Sequence, residues 1–87
     1  MIYANVKPEN LIKFRFGKQP IKGQYLNFDW KLIGLYDFEK FSIQVFVFKV
    51  KHKGNEWERS LTDPAFISID HAAQIVCSKL EHELYPV

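Results

Sequence analysis

Apolar and polar residues alternate with a period of two through most of residues 2–61, and with a period near 3.6 from about residue 69 to 85. A sheet followed by one helix is the architecture this switch predicts. The densest apolar stretch is Phe41 to His52, rich in β-branched and aromatic residues and free of Gly and Pro, which marks it as the central strand. Its odd positions Phe41, Ile43, Val45 and Val47 are apolar, and so are its even positions from Phe46 to Val50. A strand greasy on both faces needs cover on both, or a bulge that flips its phase.

Earlier in the chain, Ile2 to Val6 reads as a short edge strand closed by Pro8. Asn10 to Phe16 reads as a second strand, with Ile12, Phe14 and Phe16 inward and Lys13 and Arg15 outward. Gly17 to Gly23 is a hairpin connector by composition. Gln24 to Ile33 follows as one strand, with Leu26, Phe28, Trp30 and Leu32 on its core face and Asn27, Asp29 and Lys31 on the other. Gly34 breaks that run and suits a bulge, after which Leu35 to Lys40 leads round to the central strand. Beyond it, His52 to Glu56 turns the chain, Trp57 to Leu61 forms the last strand, and Pro64 ends it.

The helix starts at Ser68 or Asp70, either of which can cap it, and runs to Tyr85 before Pro86. Ile69, Ala73, Val76, Leu80 and Leu84 form its apolar stripe with Cys77 on the flank; His71, Gln74, Ser78, Glu81, His82 and Tyr85 lie opposite. Ile75 falls on the polar side. The expected fold is therefore α+β: an antiparallel four- to five-stranded sheet at about 2–61 with one C-terminal helix at about 69–85 packed on one face, in a single domain spanning 1–87.

Composition narrows the class. A length of 87 residues leaves room for one domain, and 47% hydrophobic with 25% charged residues is a foldable balance. The single cysteine, Cys77, cannot form an internal disulfide, and no apolar run approaches the roughly 20 residues that span a bilayer. A reducing, cytoplasmic location without a membrane partner is the expectation. Net charge is +2, unevenly placed: residues 1–55 hold ten Lys or Arg against four Asp or Glu, and residues 56–87 hold two against six. The first part of the chain is basic and the last part acidic.

Spacing separates the residues that could carry chemistry. Glu81, His82 and Glu83 are consecutive on the helix and radiate at successive angles of about 100°. His71 and His82 share a face but stand roughly 16 Å apart along the axis, too far to ligate one metal. Cys77 has the place of a small core residue, and the glycine-bracketed loop lacks the spacing of a phosphate-binding loop. No catalytic, metal or cofactor site is expected, and the chain reads as non-enzymatic.

Two binding readings remain. The first is a small protein-binding module whose partner meets Ile43, Val45 and Val47 on the helix-free face, with Ile75 as a separate anchor. Small free-standing domains of this character include phage and mobile-element inhibitors of a host protein or nucleoprotein, and self-pairing homodimers belong to the same class. The alternative is a nucleic-acid-binding sheet using Lys13, Arg15, Lys31, Lys49 and Lys51 on one face.

Overall fold

A computed structural model describes residues 17, 19–38, 41–63 and 67–86, and the expected strands at 2–6 and 10–16, with Lys13 and Arg15, lie outside the described residues. The described chain folds as α+β, with four antiparallel strands in the order β1(Lys22–Tyr25), β2(Phe28–Phe38), β3(Ile43–His52) and β4(Asn55–Asp63). One helix, α1(Ile69–Leu84), packs on the sheet.

The span expected as one strand from Gln24 to Ile33 is two strands. Leu26 and Asn27 interrupt it with φ of 52° and 66°, the two positive values that a tight two-residue hairpin requires. Asn accepts this left-handed backbone readily; Leu does so at a steric cost. The turn therefore carries no Gly or Pro to announce it. Leu26, expected in the core, stands 41% exposed at the tip. The hairpin joining β3 to β4 uses the same geometry at Lys53 and Gly54.

A bulge in β2 sets which side chains reach the core. Leu32 lies opposite Phe48 and Gly34 opposite Val47, so Ile33 is an extra residue in β2. Phe28, Trp30 and Leu32 would otherwise face away from Leu35; the bulge turns all four inward. Strict alternation then governs β3, where Gln44, Phe46, Phe48, Val50 and His52 are buried and the odd positions are not. The phase change anticipated for the central strand thus occurs in its neighbour. Phe41 precedes β3 and is 66% exposed.

α1 contributes Ile69, Ala72, Ala73, Val76, Cys77 and Leu80 to this same core. Ser68 caps it by accepting from the His71 backbone N–H at 3.0 Å, and the first N–H, of Ile69, donates to Gln19 Oε1 at 2.9 Å. Trp30 and Phe48 meet edge to face, with ring centres 5.7 Å apart. His52 fastens the opposite end of the helix. Its Nδ1 lies 2.9 Å from the Asn27 carbonyl, which can only accept, so Nδ1 carries the proton. In the neutral ring Nε2 accepts from the Tyr85 hydroxyl, also at 2.9 Å, while the imidazole stacks on Phe28 at 4.1 Å. One side chain thereby joins the first hairpin, β3 and the helix terminus.

Two positions test this packing. A Cβ at Gly23 would stand 2.7 Å from the Trp30 ring, so Gly23→Ala should destabilise the fold by about 1–3 kcal/mol in denaturant unfolding. Gln44 is 1% exposed, and among the described residues neither its amide nitrogen nor its amide oxygen has a hydrogen-bond partner. Gln44→Leu should raise stability by about 1–3 kcal/mol in the same assay, because it removes a desolvated polar group of similar volume; a loss of stability would contradict that reading.

Candidate functional site

With α1 on one face of the sheet, strand alternation assigns the other face residue by residue. Across β2, β3 and β4 the registers bring together Phe38 and Ile43, then Tyr36, Val45 and Thr62, then Gly34, Val47 and Ser60. Ile43, Val45 and Val47, expected as partner contacts, stand here side by side, each half-buried. Tyr36 and Phe38, not singled out by sequence, extend the same apolar patch and are also half-buried. The Tyr36 ring leans over Gly34: a Cβ there would lie 3.4 Å from both the ring and Val47. Among the described residues no helix or strand lies over this patch.

Further along the same face the composition changes to charge. Lys22 lies opposite Lys31, Lys31 opposite Lys49, and Lys49 opposite Glu58. The next row runs Gln24, Asp29, Lys51 and Glu56. Glu56 pairs with Lys49 at 3.7 Å and with Lys51 at 3.8 Å, and the Gln24 amide donates to Asp29 at 3.2 Å. A shallow cleft of about 740 Å³ lies over these rows.

Of the five basic residues expected on one face, Lys31, Lys49 and Lys51 do share it, and Lys22 joins them. The face is not uniformly positive, because Asp29, Glu56 and Glu58 are interleaved with the lysines. Lys22 escaped notice in the sequence because it falls in a stretch that composition assigns to a connector. Once the turn at Leu26 and Asn27 is known, the pairing of Lys22 with Lys31 follows by counting.

Ile75 occupies a different place. It is half-buried against the edge of the core, rather than simply on a wet face, and lines a shallow groove of about 330 Å³ with Tyr25, His71, Ser78 and His82. That groove lies on the helix side of the sheet, so Ile75 and the Ile43, Val45 and Val47 patch do not form one site.

As to chemistry, His52 has both ring nitrogens engaged within the fold, and no three His, Cys, Asp or Glu side chains among the described residues are grouped to hold a metal ion. Among those residues no helix is long and apolar enough to cross a membrane. Cys77 is fully buried, and desolvation pushes its thiol from the ordinary 9.0 up to about 11.

Compared with models of known families, with curated proteins and with solved structures, the chain matches none. What the geometry defines is a class: a small α+β domain with a four-stranded antiparallel sheet, one face packed under a helix, the other carrying an apolar patch beside a charged one.

The Cys77 shift gives a pH test. The unfolded thiol ionises near 9.0 while the folded one holds its proton to about 11. Stability from this group is present below the lower value and lost as pH rises through the higher one. Unfolding measured from pH 8 to about 11 should therefore show a steeper loss in the wild type than in Cys77→Ala, whose baseline is lower because of the cavity. Identical slopes would contradict the assignment.

Proposed function

We propose that this chain is a non-catalytic protein-binding module that meets its partner with the apolar patch of its helix-free sheet face. The observation that carries the proposal is the alignment of Ile43, Val45 and Val47 with Tyr36 and Phe38, half-buried on a face that no described element crosses. Burying such side chains fully against a partner adds about 25 cal/mol for each Å² removed from water. The apolar residues sit beside lysines and carboxylates, which supply the polar rim of an ordinary interface. An inhibitor of the kind carried by phages and mobile elements is one specific form of this function, and its partner is a protein inside the cell.

The same face gives less support to the nucleic-acid alternative. A strand of phosphates laid across it would pass Asp29, Glu56 and Glu58 as well as the lysines, and Lys49 and Lys51 already have Glu56 for a partner. Counterion release, the main source of such affinity, is correspondingly small.

Tagged protein incubated with cell lysate, with nuclease present and at moderate salt, should retain one defined protein. Val45→Glu combined with Val47→Glu should lose that protein while keeping the wild-type circular dichroism spectrum, because both positions face away from the core. Retention by the doubly substituted protein would remove the patch from the account, and recovery that depends on nucleic acid would favour the alternative.

A further inference from the structure

The cleft over the lysine rows carries an inference that goes beyond protein binding. Lys22, Lys31 and Lys49 lie in one cross-strand row, each directly opposite the next. Like charges so placed repel and destabilise a sheet. Lys22 and Lys31 form no ion pair among the described residues, whereas Lys49 has only the long contact to Glu56 that it shares with Lys51. The cleft wall holds four lysines against two carboxylates, Asp29 and Glu56, and so keeps a net charge of +2.

We propose that this cleft is a binding site for a compact polyanion, a short chain of two or three phosphoryl groups. Neighbouring strands are about 4.8 Å apart, so the row spans about 10 Å, which suits a compact oligophosphate better than a long backbone. Lysine ammonium groups serve phosphate as flexible point charges and need no fixed planar geometry. At the β4 end of the row Glu58 closes off the positive field, and at the next row Asp29 and Glu56 do so. A ligand centred on Lys22 and Lys31, at the β1 end of the row, keeps away from Glu58 and from the Glu56 that pairs with Lys49, whereas an extended nucleic-acid strand crosses to β4 and meets both. Trp30, which also borders the cleft, is 3% exposed and offers no face for a base to stack on. The phosphoryl groups are therefore the recognised part of the ligand.

The test is a titration of the full chain with sodium tripolyphosphate followed by amide NMR shifts. Saturable binding centred on Lys22 to Gln24, Lys31 and Lys49 is expected, weakening as salt is raised. Lys31→Gln and Lys22→Gln should each weaken it about tenfold, while Lys79→Gln, on an exposed helix position away from the cleft, should leave it unchanged. Both cleft variants should melt no lower than the wild type, since each relieves repulsion. Absence of saturation, equal weakening by Lys79→Gln, or tighter binding of a single-stranded oligonucleotide at equal phosphate concentration would each overturn the proposal. Absence of saturation or an equal effect of Lys79→Gln leaves the apolar patch untouched, so either can fail this site without failing the protein-binding reading; only tighter oligonucleotide binding would count for the nucleic-acid alternative as well.

Discussion

Among the described residues one sheet and one helix make a single dry interface, and the constraint that follows is that only one face of each strand is satisfied by the described fold. The phase of β2 is where that constraint is met. By placing Ile33 as an extra residue, the chain brings Phe28, Trp30, Leu32 and Leu35 under α1, although their spacing changes parity midway. Without that bulge Leu35 would leave the core, and Phe46 would lose its apolar neighbour on β2. Everything on the opposite face is then determined by default: it is the set of positions that the helix does not reach.

Much of this was legible in the residues. The switch from a two-residue to a 3.6-residue period announced strands followed by a helix; Ser68 and Pro86 bracketed the helix, and Gly34 pointed to the bulge. The turn at Leu26 and Asn27 was not legible, because a leucine in the left-handed region carries no turn signature and the flanking alternation runs straight through it. That one omission merged the end of β1 with β2 and hid the place of Lys22 beside Lys31 and Lys49. His52 was equally hidden. Its burial depends on a carbonyl 25 positions away and a hydroxyl 33 positions away, contacts that no local pattern encodes.

The open face reads as two adjoining surfaces with different physics. Ile43, Val45, Val47, Tyr36 and Phe38 gain by losing water, a non-directional drive that suits a protein partner. Lys22, Lys31 and Lys49 gain by acquiring negative charge, a drive that salt weakens. The apolar residues sit at the start and middle of β3 and the lysines toward its end, so a partner and a small anion can occupy the face together. Gln44, buried beneath this face with no hydrogen-bond partner among the described residues, shows that local stability was not maximised at the start of β3.

The central claim is that one face of β3 is sealed under α1 and that the other, which no described element crosses, is open to a partner. Selective methyl labelling with a soluble paramagnetic agent tests it directly. Methyl groups of Ile43, Val45 and Val47 should relax markedly faster as the agent is added, while those of Val50, Leu35 and Val76 should hardly respond. Equal protection of both sets would mean that the face opposite α1 is closed, and the account of its function would fail with it.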